Sequence, residues 1–151
     1  MSRLADIAIR VEPPTQVGGL GGGVAAILTE MIGLLERLAD GAGPAAIDLR
    51  SLPMGPQDRT ELQRVLGEGE VQATVNAGGV SSIRETRISG VWWVEHRDDR
   101  GELIAELIEV TRVPEILASA PDEIAAGARE LRSRLAAAPA RTHGGPHVPR
   151  Q

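Results

Sequence analysis

Glu68 and Glu70 stand two residues apart, the spacing that places two carboxylates on one face of a strand and the minimum for general acid-base chemistry. No histidine or metal-ligating set lies beside them in sequence. Solvated charges on a strand edge are therefore the simpler account, and an acidic, partner-facing patch shared with Glu85 and Glu109 is the sharper one. His96 is isolated, whereas a metal site needs three or four converging ligands. His143 and His147 are four apart, but Gly144, Gly145 and Pro146 between them exclude the helix that would bring them together. Ser81, Ser82 and Ser89 lack the Gly-x-Ser-x-Gly frame of a hydrolase nucleophile. Cysteine is absent, which removes thiol nucleophiles, disulfides and iron-sulfur or zinc-finger ligation together.

A second kind of chemistry is suggested by Gly18, Gly19, Gly21, Gly22 and Gly23, because N–H groups at the start of a following helix can bind phosphate. No Lys-Ser or Lys-Thr follows, and the glycines stand too far from the preceding strand for a tight dinucleotide-binding turn. A flexible lead into the helix is preferred, with a small nucleotide-binding regulator kept as an alternative. The expectation is a protein without catalytic residues, cofactor or metal.

Trp92 and Trp93 are the only aromatic residues besides the histidines, since phenylalanine and tyrosine are absent. On a regular strand they point to opposite faces, so one can fill a core while the other emerges. The emerging indole is either covered by a terminal segment or presented to a partner as an interface anchor. Val91 would accompany Trp93 and Val94 would accompany Trp92, so alternation does not choose between them. The candidate partner-binding set is Trp92, Trp93, Glu68, Glu70, Glu85 and Arg87.

The elements that must position these residues follow from periodicity. Ile7, Ile9 and Val11 alternate as a strand that Pro13 and Pro14 stop. Val24, Ile27, Leu28, Met31, Leu35 and Leu38 recur at helical spacing, and Pro44 to Leu49 reads as a short strand. Pro56 opens a helix carrying Leu62, Val65 and Leu66, which Gly67 ends. Thereafter the period is two. Val71 to Asn76, Val80 to Ile88, Val91 to His96 and Leu103 to Val110, separated by glycine-rich turns, predict a four-stranded antiparallel meander. Pro114 to Ala118 predicts one turn, and Pro121 to Ala138 a last helix with Ile124, Ala128, Leu131 and Leu135 on one face. The fold class is α+β, a mainly antiparallel sheet with amphipathic helices packed on one face. Residues 1–138 are expected to form a single domain and 139–151 a disordered tail.

With 151 residues, 42% hydrophobic and 25% charged, the chain has the composition of a folded soluble protein. Its basic residues are all arginine, 16 against 21 acidic ones, and the net charge of -5 argues against nucleic acid or an anionic membrane as partner. Neither a signal peptide nor an apolar run of about 18 residues is found, which predicts a cytoplasmic protein.

The runs Leu66-Gly67-Glu68-Gly69-Glu70-Val71, Ile83-Arg84-Glu85-Thr86, Gly90-Val91-Trp92-Trp93-Val94 and Ile108-Glu109-Val110, followed by Val113-Pro114, occur in a specific order. With Ile47-Asp48-Leu49, Leu52-Pro53-Met54 and the Ala26-Ile27-Leu28 helix upstream, the region from Val24 to Ala118 resembles the HupH/HyaF hydrogenase-expression family. The resemblance implies a bacterial accessory protein or assembly chaperone for nickel-iron hydrogenase. Its implied partners are a hydrogenase precursor subunit and other maturation proteins, and it implies no defined catalytic residues. A self-associating α+β module, dimeric through a sheet edge or the emerging tryptophan, is the competing expectation.

Overall fold

Gly22–Ala39 forms a first helix, α1, whose three- and four-residue apolar spacing buries Val24, Ile27 and Met31 and half-buries Leu28, Leu34, Leu35 and Leu38 against one core. The computed structural model describes residues 19–139. The expected strand around Ile7–Val11, Gly18, and the tail from residue 140 with His143 and His147 lie outside the described residues. A short strand, β1 (Ala45–Asp48), follows. Helix α2 (Pro56–Leu66) starts with proline where no intrahelical N–H is needed, and the Asp58 carboxylate accepts a 2.9 Å hydrogen bond from the Gly55 N–H.

Four further strands, β2 (Gln72–Asn76), β3 (Val80–Glu85), β4 (Val91–Arg97) and β5 (Leu103–Val110), form the expected antiparallel meander. Their connections have a local basis. Between β4 and β5 the Asp98 carboxylate accepts from the N–H groups of Arg100 at 2.9 Å and Glu102 at 2.8 Å, closing the turn. β1 pairs antiparallel with β5, Ile47 opposite Ile108, so the sheet has five strands in the order β1-β5-β4-β3-β2. One correction concerns β3, which ends at Glu85 instead of continuing to Ile88. Thr86 Oγ1 lies 3.0 Å from the Val91 carbonyl oxygen and accepts from the Ile88 N–H at 3.2 Å, so its side chain turns the backbone out of the ladder.

Helices α1 and α2 supply the layer over one sheet face, where Val91, Trp93, Ile47, Ile108 and Val110 meet Leu62, Leu66 and the α1 stripe. Within this layer Arg59 of α2 donates from Nε to Glu106 of β5 at 2.8 Å. The opposite face of the central strands carries Ile83, Trp92 and Val94, which are also buried.

The described chain divides into two compact units, the first ending at Arg112 and the second beginning at Val113. The second contains the expected turn, seen as a 3-10 helix over Glu115–Leu117, and α3 (Pro121–Ala137). Glu123 accepts from the Ala120 N–H at 2.9 Å and starts α3, while its Ile124, Ala128, Leu131 and Leu135 stripe is exposed. Among the described residues no helix is long and apolar enough to cross a membrane.

Candidate functional site

The Gly67-Glu68-Gly69-Glu70 run leaves the end of α2 and lies along the segment that follows β3. Leu66 O accepts from the Arg87 N–H at 3.0 Å, Glu85 O accepts from the Gly69 N–H at 2.9 Å, and Val71 O accepts from the Glu85 N–H at 2.9 Å. Only glycine permits this approach. A Cβ on Gly69 would stand 2.6 Å from the Thr86 carbonyl oxygen, and Gly67, at φ +65°, would meet the Arg87 side chain at 2.8 Å. The alternation of glycine and glutamate thus brings the backbone close while directing two carboxylates outward. We expect Gly69→Ala to destabilise the protein by about 2–3 kcal/mol through overpacking against backbone, read as a lower urea midpoint.

Two clefts border this junction. The wider, of about 650 Å³, is lined by Glu68, Gly69, Glu70, Glu85, Thr86, Arg87 and Ser89. The narrower, of about 70 Å³, is lined by Gln63, Leu66, Gly67, Glu68, Arg84, Thr86 and Trp93. Glu68 and Thr86 belong to both. Five of the six residues expected at a partner surface are therefore brought together here. Glu68, Glu70 and Arg87 are exposed and Glu85 half-buried, so three carboxylates face one guanidinium in the wide cleft. Gln63, Arg84 and Thr86 complete the site and were not anticipated as site residues. Arg84 and Thr86 flank Glu85 in sequence, but Gln63 carries no signal beyond being a polar residue on a helix.

The expectation that one tryptophan emerges is overturned. The two indoles do point to opposite faces, but Trp92 is 6% exposed and Trp93 3%. Residues 91–94 of the central strand are all buried, so alternation sets the direction of each ring and leaves neither in solvent. Trp92 Nε1 donates to the Thr111 carbonyl oxygen at 3.2 Å. An exposed indole anchor is accordingly removed from the proposed surface.

The other expected chemistries resolve as follows. The Gly21 N–H, just before α1, donates to Glu61 Oε2 at 3.1 Å, and Gly22 and Gly23 are already helical. The Glu61 carboxylate therefore takes up one N–H group at the start of α1 and sets a negative charge beside it. His96 is half-buried, its Nδ1 2.7 Å from Ser81 Oγ across the β3–β4 ladder. Among the described residues no carboxylate pairs with this ring, so the pair joins two strands without forming a triad. Glu109 lies opposite Trp92 on β5, away from the two clefts' lining. Among the described residues no three histidine, aspartate or glutamate side chains converge to hold a metal ion.

Comparison with known proteins places this geometry in context. The family model for the HupH hydrogenase expression protein, C-terminal conserved region, matches residues 23–138. The hydrogenase expression/formation protein HoxQ of Azotobacter vinelandii is 33% identical over 108 residues, covering 70% of this chain and 38% of that protein. HupH of Rhizobium leguminosarum bv. viciae is 29% identical over 122 residues, covering 81% of this chain and 41% of that protein. The chain thus spans about two-fifths of the length of these curated relatives. The solved structure of the hydrogenase expression protein HupH from Thiobacillus denitrificans superposes with a TM-score of 0.74 at 36% identity, covering 78% of this chain and 98% of that one.

Proposed function

Because the chain belongs to the HupH hydrogenase-expression family through its C-terminal conserved region, we propose that it acts as a non-enzymatic accessory protein in hydrogenase maturation, holding a precursor subunit in the cytoplasm. One observation carries the choice of surface: the Glu68-Gly69-Glu70 run and the Glu85-Thr86-Arg87 segment, separated in sequence by the β2–β3 hairpin, line the same wide cleft. Carboxylates, one guanidinium and a serine without a neighbouring imidazole suit recognition better than nucleophilic chemistry. Three carboxylates against one arginine favour a basic segment of the precursor, and such charges act chiefly on the association rate.

The test is co-purification with the precursor forms of both hydrogenase subunits. Glu68→Arg combined with Glu70→Arg is expected to reduce capture at least tenfold, with circular dichroism and the melting temperature unchanged because both residues are exposed. Moderate salt should weaken capture by the unaltered protein in the same sense. Undiminished capture of both precursors by the doubly reversed, folded protein would remove this surface from the function.

A further inference from the structure

Strand β2 stands at one end of the sheet order, so among the described residues no strand pairs with its outer side. A free edge is a template for another strand, and proteins ordinarily guard one with charge, proline, a bulge or short length. The opposite edge is guarded in this way, since β1 is four residues long, follows Pro44 and ends on Asp48. β2 has none of this protection. Its register with β3 runs unbroken from Gln72 opposite Arg84 to Asn76 opposite Val80, and neither a charged residue nor a proline occurs from Val71 to Ile83 in a chain that is 25% charged.

The direction of its free backbone groups follows from the two ends of the strand. Val71 O accepts from the Glu85 N–H, and the Ala77 N–H donates to Gly79 O, both on the β3 side. In an antiparallel ladder alternate residues turn their N–H and C=O to the same side, so Ala73 and Val75 bond to β3 while Gln72, Thr74 and Asn76 present theirs outward. The side chains of those three residues are exposed, and Ala73 and Val75 are half-buried on the face that carries Ile83.

We propose that a second copy of this chain occupies this edge, its β2 running antiparallel to the first about a two-fold axis at Thr74. The run Gln-Ala-Thr-Val-Asn has the same chemistry read from either end: carboxamide, aliphatic, threonine, aliphatic, carboxamide. In that register Thr74 meets Thr74 of the second copy, Gln72 meets its Asn76 and Ala73 meets its Val75. Every outward residue then exchanges N–H and C=O bonds with an outward residue, and matched side chains share a face. Moving the axis to Ala73 or Val75 loses one bonded pair and sets a carboxamide against threonine. Beyond the strand Glu70 falls opposite Gly78 of the second copy, so no carboxylates are opposed. Neither Glu68 nor Glu70 belongs to the contact, which makes dimerisation and precursor binding separate properties.

Five residues a side make a small interface, so the dissociation constant is expected to be on the order of 10–100 µM. Sedimentation equilibrium of the full chain up to about 1 mM reads it. Thr74→Lys sets two ammonium groups against each other at the axis and should weaken association at least tenfold, as should Thr74→Glu. An equimolar mixture of the two variants should recover it, because unlike charges then meet. Residue 74 is exposed and turns its backbone groups away from β3, so both variants should keep the circular dichroism and urea midpoint of the unaltered monomer. A chain that stays monomeric throughout would overturn the proposal. So would a dimer indifferent to Thr74→Lys, or a mixture that associates no better than either variant alone. A monomer whose precursor capture is lost on Thr74→Lys would assign the edge to the precursor and overturn it equally.

Discussion

Replacing Trp93 with alanine is expected to destabilise the protein by about 3–5 kcal/mol, the range for deleting a fully buried large aromatic. The ring is 3% exposed on the central strand and belongs to the cluster containing Leu62 and Leu66 of α2 and Ile108 of β5. No phenylalanine or tyrosine exists elsewhere in the chain to take up its volume. The void would also adjoin the existing cleft of about 70 Å³, so collapse around it would be incomplete. Trp92→Ala should be costly too, because its indole is buried and donates to Thr111. Urea unfolding of the two variants checks this. A native-like midpoint for either would mean that its ring is not part of the packed interior.

Arg59→Ala is expected to destabilise by about 3 kcal/mol, because it leaves the Glu106 carboxylate buried without its cation. Glu106 is 4% exposed, and Arg59 Nε approaches it at 2.8 Å while Nη1 donates to the Met54 carbonyl oxygen at 3.1 Å. Coulomb attraction between the pair does not set the size of the loss. Removing one partner strands the other, and that is the dominant cost. The double variant Arg59→Met with Glu106→Leu should therefore be more stable than Arg59→Ala alone. A thermal or urea double-mutant cycle measures the difference, and additive losses would show that the two groups do not depend on each other.

Much of the fold was legible because it is encoded locally. The α1 stripe, the proline that opens α2 and the alternation from Val71 to Val110 each depend on the direction in which neighbouring side chains point, which backbone geometry sets within one element. The resemblance carried by the Gly-Glu-Gly-Glu and Gly-Val-Trp-Trp runs led to the same family as the match over residues 23–138. Four charged members of the candidate surface, Glu68, Glu70, Glu85 and Arg87, do line one cleft. Gln63 and Arg84 escaped notice because a polar residue on a helix or strand looks the same in sequence whether it borders a cleft or open solvent.

Sequence alone therefore determined the type and order of the described elements, the absence of sulfur chemistry from cysteine, and the opposite directions of Trp92 and Trp93. Tertiary structure decided what covers those directions. Pairing of β1 with β5, Ala45 opposite Val110, and the contact of Arg59 with Glu106 join residues distant along the chain. Burial of both indoles, the commitment of Gly21 to Glu61 and the passage of Gly69 against Thr86 likewise arise from segments that meet only on folding. The physical reason is one of range. Dihedral preference and side-chain alternation act between near neighbours, whereas burial and hydrogen-bond satisfaction depend on whichever distant segment arrives on the other side.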